Sequence, residues 1–332
     1  MPPAEASPAP ARGQVEVMAV IVTYNRCAMV LESLAAVEGQ SRPPDSVVVI
    51  DNASTDGTAA AVRAGFPGAR LVELPSNTGG AGGFAYGLSL ALADGADLVW
   101  LMDDDTIPQA GALEAMLDAR DSYQGPQPAL IASRVLWTDG RPHPMNTPRT
   151  KPFATKAELA AAAAAGCQPI RSASFVSILV EAMTCRERGL PVADYFLWND
   201  DFEFTTRLLR SYPGLLCPAS VVVHKTATFA STDTDPGPRF YYEVRNKVWT
   251  LRSGLALSPG ERILYGGATL RRWARAFARS ANRRALTASL ARGLAAGVRT
   301  RPRSTEDVFE SAGISLPAPA GRGVRPGRPP AS

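Results

Sequence analysis

The stretch Leu98-Val99-Trp100-Leu101-Met102-Asp103-Asp104-Asp105-Thr106 decides how the chain is read. Its five apolar residues suit a strand buried within a sheet, and three carboxylates follow where that strand would emerge. Charge at such a place is costly without a partner. Two readings are open. In one, the acids form a solvated turn that opens the next helix, with Thr106-Ile107-Pro108 as its cap. In the other, Asp103 and Asp105 hold a hard cation, Mg²⁺ or Mn²⁺, that grips a substrate diphosphate.

The residues before this stretch repeat one pattern. Val17 to Thr23 (VMAVIVT) is a continuous apolar run suited to a strand covered on both faces, and Tyr24-Asn25-Arg26 ends it. Helical spacing predicts a helix from Met29 to Val37, followed by a strand from Ser46 to Ile50 that closes at Asp51. A strand-helix-strand unit crosses over right-handed and sets its strands parallel, so Tyr24 and Asp51 reach one sheet edge. The next unit predicts a helix from Thr58 to Ala64 and a strand from Ala69 to Leu74. Pro75-Ser76-Asn77-Thr78-Gly79-Gly80-Ala81-Gly82-Gly83 then leads into a helix from Phe84 to Ala93. These glycines suit either a flexible loop or a close backbone approach to an anion at a helix N-terminus. Their spacing is not GxGxxG and they follow the third strand, which excludes a dinucleotide fingerprint. With Ala96 to Met102 as the fourth strand, four strand ends deliver Tyr24, Asp51, Asn77 and Asp103 to Asp105 to one rim. Ligands of open α/β sheets bind at that rim, which favours the functional reading of the triplet.

The chain of 332 residues accommodates one large α/β domain with an extension, or two domains. No apolar run approaches the roughly 18 residues of a membrane span, and the first twelve residues lack the pattern of a secretory signal. Four scattered cysteines and two histidines suggest neither a zinc site nor a disulfide framework, so a reduced, cytoplasmic protein is expected. The net charge of +4 is unevenly placed. Between Glu261 and Arg303 eleven arginines face one glutamate, which gives that segment +10 and the rest of the chain −6.

Beyond the triplet, a helix from Gly111 to Tyr123 and a strand from Leu130 to Trp137 are expected. Thr138 to Ala165 has no firm pattern before its alanine run and suits a lid or a surface loop. Ala173 to Glu181 reads as a weak strand. A second polar concentration, Tyr195-Phe196-Leu197-Trp198-Asn199-Asp200-Asp201-Phe202-Glu203-Phe204, precedes a helix expected from Thr205 to Ser211. Carboxylates among five aromatics suit a general base of raised pKa, or a helix N-terminus dressed with acids. Leu215 to Val223 predicts a strand ending at His224, which suits a core position or a metal ligand. A helix opens at Phe240 and runs to about Leu251; its Arg245 and Lys247 suit a phosphate or a solvated face. From Glu261, apolar residues recur every three to four positions among arginines, as in one or two basic amphipathic helices. These suit an anionic membrane surface or packing on the body with a basic outer face; nothing supports nucleic acid.

The runs VIVTYNR (20–26), VVVIDNASTDGT (47–58), NTGGAGGF (77–84), WLMDDDT (100–106) and WNDDFEF (198–204) together resemble the inverting family 2 glycosyltransferases over roughly residues 17–250. With the later YYEVRNK, they look like bacterial galactofuranosyltransferases of actinobacterial cell-wall synthesis, with rhamnosyltransferases as near relatives. The resemblance implies a GT-A fold: a Rossmann-like, mostly parallel α/β sheet flanked by helices, here with a C-terminal basic helical extension. The chain is expected to divide into a disordered tail at 1–14, a glycosyltransferase domain at 15–255 with a nucleotide-sugar half (15–125) and an acceptor half (126–255), the basic extension at 256–317 and a Gly-, Pro- and Arg-rich disordered tail at 318–332.

The resemblance also assigns roles. Asp51 would bind the donor nucleobase near Thr23, Tyr24 and Asn77, with Gly79, Gly82 and Asp104 also on the donor. Asp103, Asp105 and His224 would hold Mn²⁺ or Mg²⁺. Asp201 would be the base, with Asp200 as the alternative. The implied reaction moves galactofuranose from UDP-galactofuranose, or rhamnose from dTDP-rhamnose, to a glycan or polyprenyl-linked acceptor. It would take place at the inner membrane face, which residues 261–303 would contact. A nucleotidyltransferase would need its glycine-rich loop after the first strand, where Tyr24-Asn25-Arg26 stands. A non-catalytic sugar-nucleotide binder would not need Asp201.

Overall fold

The computed structural model describes residues 15–226, 229 and 237–318. In chain order the elements are β1 (Val17–Thr23), α1 (Cys27–Glu38), β2 (Ser46–Asp51), α2 (Thr58–Gly65), β3 (Arg70–Glu73), α3 (Gly79–Asp94), β4 (Leu98–Asp103) and β5 (Thr106–Pro108). There follow α4 (Ala112–Ser122), β6 (Leu130–Leu136), β7 (Arg149–Thr150), α5 (Lys156–Ala164), β8 (Gln168–Ser172), β9 (Ile178–Glu181), α6 (Ala182–Arg188), α7 (Asp200–Leu208) and β10 (Gly214–His224). Four helices close the described chain: α8 (Phe240–Ser253), α9 (Pro259–Arg279), α10 (Arg283–Arg299) and α11 (Thr305–Ser311).

The strands form one mixed sheet in the order β3-β2-β1-β4-β9-β6-β10-β8-β7, with β5 paired to β10. Its first half is parallel, and β9 runs antiparallel between β4 and β6. Every residue of β1 is buried, and helices cover both faces, as expected of strands read from unbroken apolar runs. Register sets Thr23 beside Asp51 and Val22 beside Asp103, which aligns three of the expected strand ends on one rim.

Several expectations change. The glycine-rich segment is not a loop before a helix at Phe84; α3 begins at Gly79 and contains those glycines. Helix propensity opposes this, and packing decides it. A side chain at Gly83 would overlap Val22, and one at Gly87 would overlap Val20, so the missing Cβ atoms let α3 lie directly on β1. Thr106-Ile107-Pro108 does not cap a helix but forms β5, whose pairing with β10 sets Thr106 opposite His224. Of Ala173 to Glu181 only Ile178–Glu181 is strand, while β8 was not expected at all. The 138–165 segment contains β7 and α5, the latter started by a capping box between Thr155 and Glu158. Helix α7 starts at Asp200 rather than Thr205, which puts both acids of the pair on its first turn.

The basic segment forms two helices, and both pack on the body. Phe240 and Val244 of α8 meet Trp273 and Ala276 of α9 and Leu286 of α10 in one apolar cluster. Gly293 and Gly297 of α10 face Val244 and Val248 at contact distance. Buried Arg171 of β8 ties α9 to the body, with Nε donating to Glu261 Oε1 at 2.5 Å and Nη2 to the Ala256 carbonyl at 2.7 Å. No helix among the described residues is long and apolar enough to cross a membrane. The expected terminal tails lie outside the described residues, except Ala318.

Candidate active site

The acidic triplet occupies the end of β4 and the turn into β5, and each aspartate has a different environment. Asp104 is buried and accepts from Thr23 Oγ1 at 2.8 Å and from the Tyr24 amide at 3.4 Å. Arg26 reaches it at 3.3 Å and also pairs closely with Asp105. Asp105 Oδ1 lies 2.9 Å from His224 Nε2, and His224 Nδ1 lies 2.9 Å from Asn146 Oδ1. One ligand atom each from Asp103, Asp105 and His224 fall within 4.8 Å of one another. The core reading of His224 therefore gives way: the ring is buried, yet it is turned to the carboxylates.

Electrostatics describe a cluster short of positive charge. Burial, reinforced by Asp105, pushes Asp103 up to about 7, and burial pushes Asp104 to about 6 against the pull of Arg26. Burial also acts on Asp105, but the hydrogen bond and charge of His224, with Arg26, hold it below the usual carboxylate range. His224 is raised in turn, because Asp105 outweighs its desolvation. Two carboxylate oxygens and one imidazole nitrogen are a donor set that suits Mn²⁺ or Mg²⁺, and Asn146 orients the ring as a partner of a metal-ligating histidine does.

A cavity of about 540 Å³ opens beside this cluster. Asp103, His224, Asp200 and Asp201 line it together with Arg149, Lys247, Arg272, Glu243 and Trp273. Burial raises Asp200 well above the carboxylate range, with Asp201 and Asp103 adding to it. Asp201 is also raised by burial, while the Phe202 amide, Lys247 and Arg149 pull it back. The charge of Asp103 thus acts on Asp200, and those of Lys247 and Arg149 act on Asp201.

A strained turn carries the pair. Phe196, Trp198 and Asn199 all have positive φ, at 62°, 65° and 66°, a conformation that costs about 1–3 kcal/mol for each such residue. Asn246 of α8 holds it, donating through Nδ2 to the carbonyls of Tyr195, Leu197 and Trp198 at 2.8–2.9 Å. Asn199 donates to Glu243 Oε2 at 2.7 Å. Arg245, read as a phosphate contact or a solvated residue, is neither; it donates to the Asp194 and Tyr195 carbonyls and stacks 4.2 Å above Trp249.

The expected donor residues divide. Asp51 is buried at its strand end and accepts from the Ser54 amide at 2.9 Å, while Tyr24 is exposed beside it. Asn77 accepts from the Gly79 amide, which closes the turn before α3. Gly79 and Gly82 do not border the cavity, whereas Gly80 does. A side chain at Gly79, with φ of 74°, would overlap the Phe196 carbonyl, and one at Gly82 would overlap Thr78. Their absence of side chains therefore serves packing. Sequence reasoning missed Arg26, Asn146, Arg149, Glu243 and Arg272 at the site. Arg26 and Glu243 lay within quoted motifs; the others carry no local signal.

A mixed α/β sheet with a strand-end acidic cluster and a carboxylate pair lining one cavity defines a glycosyltransferase of GT-A type. The profile described as glycosyl transferase family 2 matches residues 18–177. Galactofuranosyltransferase GlfT1 of Mycobacterium tuberculosis is 32% identical over 273 residues, 77% of this chain and 86% of that protein. Galactofuranosyltransferase GlfT1 of Mycolicibacterium smegmatis is 31% identical over 220 residues, 64% of this chain and 72% of that protein. The chain belongs to glycosyl transferase family 2. Among solved structures, S. aureus TarS superposes with a TM-score of 0.55 at 17% identity, over 81% of this chain and 44% of that one. GalNAc-T7 with UDP, GalNAc and Mn²⁺ gives a TM-score of 0.54 at 13% identity, over 71% of this chain and 48% of that one. At these identities both likenesses concern the fold.

Proposed function

We propose that this glycosyltransferase is metal-dependent and inverting, and that it moves galactofuranose from UDP-galactofuranose onto a hydroxyl of a cell-wall or lipid-linked glycan. The observation that carries the reading is one cavity lined by Asp103 and His224 and also by Asp200 and Asp201. The name borne by the mycobacterial relatives supports the sugar. Residues 15–125 then form the donor half, with Asp51 at the nucleobase, and 126–255 the acceptor half.

Asp103, Asp105 and His224 would hold Mn²⁺ or Mg²⁺, which when bound neutralises charge growing on the departing diphosphate. Asp201, the member of the pair on which Lys247 and Arg149 act, takes the proton of the acceptor hydroxyl. The acceptor oxygen forms its bond to the anomeric carbon as the carbon–oxygen bond to the diphosphate breaks. The nucleoside diphosphate leaves with that electron pair. Attack opposite the leaving group inverts the centre in a single displacement. Arg26 balances Asp104 and Asp105 when the cation is absent and is exposed enough to swing away.

The reading includes a cytoplasmic enzyme docked on the inner membrane face. Ile263, Gly267, Leu270, Ala274 and Ala278 form an exposed stripe along α9, and exposed Arg271, Arg275 and Arg279 lie beside it. Apolar side chains flanked by arginines suit an anionic lipid surface.

A donor screen tests the function. Purified protein with Mn²⁺ is given UDP-galactofuranose, UDP-galactopyranose, UDP-GlcNAc and dTDP-rhamnose, and free nucleotide is measured with and without acceptor glycans. Release with UDP-galactofuranose is expected. Turnover with dTDP-rhamnose alone would replace the donor assignment, and turnover with none would remove the catalytic reading.

A further inference from the structure

Beyond Asp201 the cavity wall is built from cations. Lys247 of α8, Arg149 of β7 and Arg272 of α9 border it together. Lys247 is only 4% exposed, and its ammonium rests 4.0 Å from the centre of the Phe202 ring. No hydrogen bond or ion pair engages that ammonium among the described residues. The Arg149 guanidinium lies 5.7 Å from the same ring and 5.8 Å from that of Tyr265, and it too has no carboxylate partner among the described residues.

The one carboxylate on this wall is already engaged. Glu243 pairs with Arg272, accepts from Trp273 Nε1 at 3.1 Å and accepts from Asn199. Asp201 acts on Lys247 by charge without a hydrogen bond to it, so the buried ammonium has no direct partner, while Arg149 beside it is solvent-accessible. A buried ammonium without a hydrogen-bonded partner is costly, so an uncompensated cluster of this kind implies a negative group that completes it. The strain is visible on Lys247, which burial pushes down to about 8, with Arg272 and Arg149 adding to the shift against Glu243.

The donor diphosphate is not that group. We assign it to Asp103, Asp105 and His224, whereas the cations come from β7, α8 and α9 and act on Asp201. An anion on the cationic wall is therefore assigned to the acceptor.

We propose that Lys247, Arg149 and Arg272 form an oxyanion subsite for the acceptor, which holds a phosphate ester or carboxylate group while a neutral hydroxyl of the same molecule is presented to Asp201. This rests on the glycosyl-transfer reading of the cavity. An ammonium and a guanidinium fork suit this chemistry, as a point charge and a planar double donor. The acceptor's negative group comes either from a phosphorylated carrier or from an acidic sugar.

Calorimetric titration of the full chain, first with UDP in the presence of Mg²⁺, tests the donor site. The UDP-saturated protein is then titrated with phenyl phosphate, phenyl glucuronide and neutral phenyl glucoside. At least one anionic probe is expected to bind about tenfold or more tightly than the glucoside, with that preference reduced by salt. Lys247→Met and Arg149→Gln are each expected to remove the preference. Arg149 is solvent-accessible, so its variant keeps the test decisive if the Lys247 variant folds poorly, and the UDP titration reports folding in both. A preference for phosphate points to a phosphorylated carrier and one for glucuronate to an acidic sugar. Equal affinity for all three probes, binding of none, or a preference that survives both substitutions overturns the subsite. Failure to bind UDP would instead bring down the glycosyl-transfer reading and the subsite with it.

Discussion

His224 Nε2 lies 2.9 Å from Asp105 Oδ1 across 119 residues of sequence. The contact is made because β5 and β10 pair with His224 opposite Thr106, and it brings an imidazole nitrogen to the acidic cluster that would serve as the third ligand of the proposed metal site. A cation entering there must displace Arg26 from Asp105 and the proton that the histidine shares with it. Mn²⁺ titrations in two buffers of different ionisation enthalpy should therefore show proton release, and affinity should rise with pH. His224→Ala should weaken Mn²⁺ binding by at least about 100-fold; unchanged affinity would remove it from the metal site.

Asp201→Asn should lower transfer by about 100- to 10,000-fold, the range for loss of a general base, while UDP affinity stays close to that of the parent chain. Steady-state kinetics and nucleotide titration separate the two. Asp200→Asn is the control: if it alone abolishes turnover, the roles within the pair are reversed.

The proposed base also implies a pH dependence. Asp201 is raised by burial above its ordinary value, and as the base it would work only when ionised. At saturating metal, kcat should rise with pH through an acid limb whose midpoint lies above that value. An acid limb at the ordinary carboxylate position would show that another group titrates.

The strained turn before α7 depends on Asn246. Asn246→Ala leaves three carbonyls without their donor and should cost about 3 kcal/mol in chemical denaturation. Activity should fall further than stability, because the turn carries Asp200 and Asp201. Retention of full turnover in the folded variant would separate that turn from catalysis.

Docking of α9 on lipid is tested by Ile263→Glu with Leu270→Glu. Both residues are exposed and outside the apolar cluster that joins α9 to α8, so thermal melting should be unchanged. Co-sedimentation with phosphatidylglycerol vesicles should weaken by about tenfold or more, and undiminished binding would exclude this face.

Gly83→Ala should destabilise by about 1–3 kcal/mol, the usual cost of forcing a methyl into a packed core. Urea unfolding with an unchanged m-value would assign the loss to the contact with Val22.

Much of the donor half was legible in local sequence. Buried parallel strands appear as unbroken apolar runs, and β1 was read to its residue limits. The parallel crossovers then bring Thr23, Asp51 and the triplet together without any need for side-chain detail. The NTGGAGGF segment was legible as a motif but not as a structure, because its Gly79 and Gly83 answer Phe196 and Val22, residues far away in sequence.

The sequence by itself determined the α/β class, the strand-end rim and the identity of the acids at the site, because short strands and turns express their burial and chemistry locally. Only the tertiary structure decided what those acids meet. It set Asn146 behind His224, Arg26 on Asp104 and Asp105, and a wall of Lys247, Arg149 and Arg272 beyond Asp201. These partners come from separate elements, and an isolated Lys or Arg on a helix reads alike whether it faces water or a buried cavity. Charge pairing acts through space, so packing alone decides which charges remain unpaired.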